Sequence, residues 1–555
     1  MGWKSESFDY VIVGAGSAGC VLADRLTEDG QHRVLVLEDG GSDSSPYVQM
    51  PGALSIPMNL PKYDWSYRTE PEPNLGGRRL HVPRGRVLGG SSSINGLVYV
   101  RGNALDFEHW QEQGAAGWGY RQVLPYFRRA ERRSEGADAY RGGDGRLVTC
   151  YGSMSNPLHA AWIRAGQQAG YALTSDLNGY QQEGFCRLDM TVDAGRRCSA
   201  ARAYLHPAMR RHNLSVLSQA RALRIVFQGR RASGVAYRRG GEERVALAAR
   251  EVLLCAGPIN SPQLMKLSGL GPAAELAEHG IALLHELPGV GENLQDHLEF
   301  YFQVASRQPV TLYPYTRPLR KALVGLRWLL TKGGLGASNQ FESGGFIRSR
   351  TGVQYPDIQF HFLPLAVSYD GSSLAREHGF QAHVGPMRSR SRGYVRLSSA
   401  DPMQSPRVRF NYMSEPDDWL EMRACVRLTR EIFAQPAFDR YRGREIQPGA
   451  QVASDEQIDA FIRERVESAY HPSCSCRMGS STDASAVVDP HTCVIGVEGL
   501  RIVDSSIMPS ITTGNLNAPT IMLAEKAADH ILGRTLLPAA QLPYYIAPDW
   551  QRAQR

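Results

Sequence analysis

The stretch Tyr10-Val11-Ile12-Val13-Gly14-Ala15-Gly16-Ser17-Ala18-Gly19 runs an apolar strand into a glycine-rich turn. It continues as Cys20-Val21-Leu22-Ala23-Asp24-Arg25-Leu26, apolar at helical spacing. A second strand, Arg33-Val34-Leu35-Val36-Leu37, then ends at Glu38. Strand, glycine turn, helix, strand and acid in that order form a βαβ dinucleotide fingerprint. Gly14 allows the tight turn, Gly16 lets the backbone approach a pyrophosphate, and Gly19 lets helix and strand pack closely. Ser17 and Ala18 open the helix, whose N-terminus stabilises a diphosphate. Glu38, 24 residues after Gly14, is placed to accept hydrogen bonds from ribose hydroxyls and disfavours a 2′-phosphate. The motif alone does not separate FAD from NAD. Its place at the start of a long chain is more typical of a flavoprotein.

The rest of the chain bounds the answer. At 555 residues it is too long for one hydrophobic core, so two domains are expected. Its composition, 42% hydrophobic and 21% charged, is that of a globular protein and excludes disorder or a collagen-like repeat. No apolar run approaches the roughly 20 residues of a membrane span. The +7 charge comes from scattered Arg with only six Lys, which is not the clustered stripe of a nucleic-acid binder. Nine irregularly spaced Cys read as free thiols in a reducing compartment. MGWKSESFDY has no apolar core of a secretory signal, so a cytoplasmic location is expected, with attachment to the inner face of the membrane as an alternative.

Two further stretches narrow the cofactor. Gly85-Arg86-Val87-Leu88-Gly89-Gly90-Ser91-Ser92-Ser93-Ile94-Asn95-Gly96 combines little side-chain bulk with many donors, which leaves room for a planar ring. Glu251-Val252-Leu253-Leu254-Cys255-Ala256-Gly257 reads as a buried strand ending in a small-residue turn. It leads into the helix start Pro258-Ile259-Asn260-Ser261-Pro262.

Both stretches resemble, position for position, the two signatures of the glucose–methanol–choline (GMC) oxidoreductases, FAD enzymes that oxidise alcohols. The resemblance spans about Phe8 to Gly533. It is closest to the bacterial choline-oxidising members through Asp176–Phe185, Gly336-Ala337-Ser338-Asn339 and Phe410-Asn411-Tyr412-Met413-Ser414. It implies an α/β fold: a Rossmann-like FAD-binding domain with a sheet-and-helix substrate-binding cap. The FAD domain is expected from 1–155, 195–297 and 468–533, the cap from 156–194 and 298–467, and a terminal arm from 534–555. Some relatives attach the flavin covalently through a His where this chain has Ile94, so non-covalent FAD is implied. Asn95 is expected near the flavin's reactive edge, with Ala222, Asp504 and Asn517 among the other contacts. A helix cap is the alternative role for Asp504.

Oxidising an alcohol requires a base for the hydroxyl proton, while the hydride goes to flavin N5. Tyr470-His471-Pro472-Ser473-Cys474-Ser475-Cys476 and Thr513-Gly514-Asn515-Leu516-Asn517-Ala518-Pro519 supply candidates. One His among fifteen is by itself more often structural. The resemblance assigns His471 as the base and Asn515 as the group holding the substrate oxygen. Pro519 suits a first helical turn, so the Asn515–Pro519 loop is expected at a positive helix end that favours the charge of reduced flavin. Where relatives carry Gly-Thr, this chain has Cys474-Ser475, which touches the loop behind the base. His471, Cys474 and Cys476 do not match zinc spacing, and no metal is expected.

Glu299 falls where choline-oxidising relatives bind the trimethylammonium group. A quaternary cation cannot donate a hydrogen bond and needs a carboxylate and aromatic faces. Tyr470, with Trp65 and Phe300 as weaker candidates, would supply the faces, and His361 matches another pocket His. A structural Glu299–His361 pair is the alternative. The expected reaction is FAD-dependent oxidation of choline to betaine aldehyde, with onward oxidation to glycine betaine open. Rival readings are a dehydrogenase of uncharged aliphatic or aromatic alcohols and a non-redox FAD lyase. The expected electron acceptor is quinone-type or artificial, with oxygen as the alternative. Leu542-Pro543-Tyr544-Tyr545-Ile546 is expected to pack as an arm, the alternatives being a membrane or subunit contact.

Overall fold

A computed structural model of the chain describes residues 6–367 and 377–555. It is built on two large sheets. The first contains a parallel run ordered Leu214–Leu217, Val34–Leu37, Glu6–Val13, Glu242–Leu254 and Leu500–Ile502. At its centre the strands are apolar because both faces are covered, as a parallel sheet requires: Val11, Ile12, Val34 and Val36 are fully buried. Glu242–Leu254 serves two partners. Its outer half pairs antiparallel with Arg231–Arg239, and its inner half runs parallel to the first strand.

Helix Ser17–Thr27 leaves the first strand through the glycine turn and packs against the last long helix, Asn517–Ile531. That helix is buried from Ala518 to Asp529, so its Glu525 must be paired, and it is: Arg25 and Arg129 both bind its carboxylate.

The second sheet is antiparallel, in the order Arg442–Gln447, Leu298–Ser306, Gly379–Pro386, Ile358–Leu363, Ser343–Ile347 and Gly184–Arg187. Strand alternation divides its side chains cleanly. Phe300, Phe302, Phe360, Phe362 and Phe380 pack on one face with Trp162, Phe433 and Phe438 from helices and turns above. Glu299, Tyr301, Gln359, His361, Gln381 and His383 occupy the intervening positions and therefore the opposite face. Register sets Tyr301 and His361 on either side of His383.

This alternation corrects one expectation. Phe300 is not a face of the substrate pocket, because a residue adjacent to Glu299 in a strand points the other way. It lies in the core, 5.5 Å from the ring of Phe461.

The terminal segment runs along both halves of the molecule. Leu542 and Tyr544 pack on the first core, Tyr545 N–H donates to Tyr180 O, and buried Arg348 donates to Ala553 O. Among the described residues, no helix is long and apolar enough to cross a membrane.

Candidate active site

One continuous cavity reaches from the glycine turn of the first sheet to the polar face of the second. At its near end are Gly14, Gly16, Ser17, Ala18, Glu38 and Ala222. Gly14 has φ +100°, and a Cβ there would lie 2.6 Å from Cys255 O, so only glycine fits. Gly19 does not line the cavity. A Cβ at that position would strike Gly14 O, so it serves helix–strand packing, as its spacing implies. Gly16 differs: its nearest neighbour would be 3.8 Å away, and its bare backbone opens onto the cavity. Glu38 accepts from the backbone N–H groups of Ala15 and Gly40, and burial raises its carboxyl to about 7.

Two helices begin on this cavity, and Ser17 Oγ donates to Asn517 Oδ1 at 2.8 Å where their first residues meet. Both positive ends thus face the same space. Asp504 does two things at once. It caps the turn Ser505–Ile507 through Ser506 N–H, and it accepts from Gly257 N–H and Ser261 Oγ at the cavity wall. Its capping role and its exposure to the cavity are therefore compatible. Ala256 and Gly257 line the same wall.

The loop carrying Gly90, Ser91, Ile94, Asn95 and Gly96 forms the middle of the cavity. Gly89 lies behind it, where a Cβ would meet Ser93 Oγ. Asn95 Oδ1 accepts from Leu97 N–H and from Arg197, and Arg197 also binds the carbonyls of Val48, Ser92 and Asn95. Arg197 is a residue the sequence reading missed. It is fully buried, and desolvation pulls it down to about 9. The elongated cavity, the open Gly16 backbone, the buried acid and the two helix ends fit a bound FAD. Ile94, purely hydrocarbon and 3% exposed, offers no atom for a covalent link.

At the far end His471, Asn515, Glu299, His361 and Tyr470 come together, joined by Tyr301, Phe341, His383 and Arg84. His471 makes three contacts that hold it from different sides. Its backbone N–H donates to Asp296 Oδ1 at 2.7 Å, Nε2 lies 3.1 Å from Asn515 Nδ2, and Nδ1 lies 3.0 Å from His297 Nδ1. Burial, with the neighbouring His297, His361 and Arg84, holds the imidazole well below its ordinary value, so it is neutral. His297 itself is pushed down to about 3 by burial and lies 2.9 Å from Met387 O through Nε2.

Asn515 Oδ1 accepts from Gln359 and lies 3.2 Å from His361 Nε2. Burial lowers His361 to about 4. Glu299 pairs with His383 Nδ1 at 3.0 Å rather than with His361, so the alternative Glu299–His361 pair is not the one formed. A chain of amides backs that contact. Gln303 donates to Gln381, whose Nε2 lies 2.7 Å from His383 Nε2 and orients the ring to donate to Glu299.

Rings pack around His383, the partner of this carboxylate. Tyr301 lies 4.3 Å from His383, and Phe341 lies 5.2 Å from His383 and 5.9 Å from His361. Trp65 shares the cavity, but its ring partners among the described residues are Tyr67 and the guanidinium groups of Arg86 and Arg221. Tyr301, Phe341 and His383 were not singled out from sequence. The alternation that places Tyr301 and His383 with Glu299 is legible only once the register is known, and Phe341 comes from the segment just before the strand Ser343–Ile347.

Behind His471, Cys474 stands at φ +73°, the left-handed region that glycine enters without steric cost. The Cys thus keeps a backbone course suited to glycine. Its Sγ donates to Ser473 Oγ, and Ser475 Oγ donates to Pro258 O, which ties the loop to the helix beneath the cavity.

Comparison with known proteins agrees with this geometry. GMC oxidoreductase family models match residues 8–299 and 389–524. The chain is 57% identical over 553 residues to a protein of Photobacterium profundum named oxygen-dependent choline dehydrogenase, covering 99% of this chain and 97% of that one. A Brucella ovis protein of the same name is 56% identical over 547 residues, 99% of this chain and 100% of its own. Among solved structures, pyridoxine 4-oxidase from Mesorbium loti superposes with a TM-score of 0.86 at 30% identity, covering 95% of this chain and 99% of that chain. Formate oxidase gives 0.90 at 25% identity, covering 95% and 98%. The chain belongs to the GMC oxidoreductases, and it is an FAD-dependent alcohol oxidoreductase.

Proposed function

We propose that this enzyme oxidises choline to betaine aldehyde, with His471 as the base. His297 Nε2 faces a carbonyl, which only accepts, so the proton of this neutral ring sits on Nε2 and Nδ1 is a lone pair. His471 must then donate through Nδ1, which leaves its Nε2 lone pair turned toward Asn515 and the cavity. That nitrogen takes the hydroxyl proton. Asn515, whose amide reaches His471, holds the substrate oxygen beside it. FAD, when bound, supplies the acceptor for the hydride leaving the alcohol carbon. Gly14, Gly16, Ser17, Ala18, Glu38, Gly90, Ser91, Asn95, Gly96, Ala222, Ala256, Gly257, Asp504 and Asn517 would hold it.

One observation carries the choice of choline. An acidic side chain, Glu299, lines the same cavity as His471, and the rings of Tyr301, Phe341 and Tyr470 line it as well. A quaternary ammonium is satisfied by charge and by ring faces, whereas an uncharged alcohol would leave a partly buried carboxylate without a counter-charge. The names of the relatives support both this substrate and oxygen as the final electron acceptor.

The test is anaerobic stopped-flow bleaching of the flavin with choline and with its uncharged isostere 3,3-dimethylbutan-1-ol. Choline should bleach the enzyme far more efficiently. Glu299→Gln should cost choline about tenfold or more in apparent affinity while sparing the isostere. Equal use of both alcohols would establish the general alcohol dehydrogenase, and failure of every alcohol to bleach would sink the redox reading. Mixing the bleached enzyme with oxygen or a soluble quinone then identifies the acceptor.

A further inference from the structure

From Phe300 to Phe341 the chain contains six basic residues, Arg307, Arg317, Arg320, Lys321, Arg327 and Lys332, and no acidic residue. Within it lies the helix Pro318–Thr331, of which Trp328 alone is buried. Trp328 donates through Nε1 to Gly195 O and packs beside Gly336 and Met50, fixing one side of the helix to the body. The opposite side carries Leu319, Leu323, Leu326 and Leu330, spaced to share one face. They are 75%, 56%, 52% and 76% exposed. Six of the fifteen large apolar side chains exposed among the described residues fall within 315–330, so this is a patch rather than scatter.

The charge says what covers it. Arg320 and Arg327, seven residues apart, flank the leucine face, with Arg317 and Lys321 at the start of the helix. Among the described residues none of these four forms an ion pair. A second copy of the chain meeting this helix through a twofold axis would set the same cations against each other. A leucine stripe bordered by unpaired cations suits a helix lying in the interface of an anionic bilayer, its long basic side chains reaching the headgroups. We propose that Pro318–Thr331 docks the enzyme on an anionic phospholipid surface. The helix leads into the turn Gly334–Ala337, which packs on Pro51–Ala53 just before the cavity-lining Leu54, so docking sets that wall of the cavity near the lipid.

The test is co-sedimentation of the holoenzyme with vesicles of phosphatidylcholine, with and without about a third phosphatidylglycerol. Bound enzyme is read by flavin absorbance. The wild type should bind the anionic vesicles at least about tenfold better than the neutral ones and be released by salt. The quadruple change of Leu319, Leu323, Leu326 and Leu330 to Gln, and separately the triple change of Arg320, Lys321 and Arg327 to Gln, should each reduce binding about tenfold or more. Leu283→Gln, at an exposed leucine elsewhere, should not. Flavin bleaching by alcohol should be unchanged in all of them. Wild-type enzyme remaining in the supernatant, or variants binding as well as wild type, would overturn the proposal. So would a wild-type dimer that the leucine changes convert to monomer without vesicle binding, which would assign the face to a second copy. Should the leucine variant fail to fold, the wild-type lipid comparison and the cation variant still decide.

Discussion

His297 and His471 face each other through Nδ1 at 3.0 Å, and only one of the two nitrogens can carry the proton. The Met387 carbonyl at His297 Nε2 determines which, because it forces His297 to accept from His471. A backbone carbonyl thus reaches the reacting nitrogen through two rings. Replacing His297 by Phe removes the acceptor and frees His471 to adopt the other tautomer. The limiting rate of flavin bleaching should then fall about 10–100-fold with little change in apparent substrate affinity. His297→Asn, whose side-chain oxygen can accept, should recover part of the loss. An unchanged limiting rate in His297→Phe would show that the base does not need this partner.

The same burial sets the pH range of the base. His471 works only when neutral, and its protonated form is disfavoured by desolvation and by His297, His361 and Arg84. Its folded-state value lies below that of an ordinary imidazole, so activity is lost only as pH falls through that lowered value. The anaerobic bleaching rate should stay level as pH falls through about 6.5 and decline at more acid pH. A titration centred on the ordinary imidazole value would show that the base is better solvated than its surroundings imply.

Much of this site was legible before the fold because its chemistry sits on local motifs. Gly14 to Glu38 is a contiguous βαβ unit, and the loops bearing His471 and Asn515 are each short and distinctive. What was not legible depends on strand register. Glu299 could be read from resemblance, yet its partner is His383, 84 residues away across a sheet, rather than His361. Phe300 was misplaced for the same reason, since sequence neighbours in a strand face opposite sides. Arg197 left no signal, because a buried cation bonded mainly to carbonyls looks like any surface Arg in a chain with so many.

Ile94 makes a prediction about release of the cofactor. It occupies the cavity wall with only carbon and hydrogen, and the sequence offers no His there to form a bond. Acid precipitation of the holoenzyme should leave all of the yellow chromophore in the supernatant, as intact FAD by chromatography. Colour remaining with the pellet would place a covalent link at some other residue.

His159 provides a stability test away from the cavity. Its ring is 1% exposed, packs edge-on to Phe362 and sits 2.8 Å from Ser343 Oγ through Nδ1, and burial lowers it to about 4. The unfolded chain takes up a proton near about 6.5 while the folded ring stays neutral. Folding stability from this residue is therefore complete above the unfolded value and is lost as pH falls from there toward the folded value. At pH 5 that loss amounts to about 2 kcal/mol. His159→Gln destabilises the protein at pH 7.5 by disturbing the core, but it has no such proton to gain. The stability gap between wild type and variant, measured by urea unfolding, should narrow by about 2 kcal/mol between pH 7.5 and pH 5. A gap that stays constant would mean that the folded ring accepts its proton as readily as the unfolded one, and that water reaches it despite the aromatic packing.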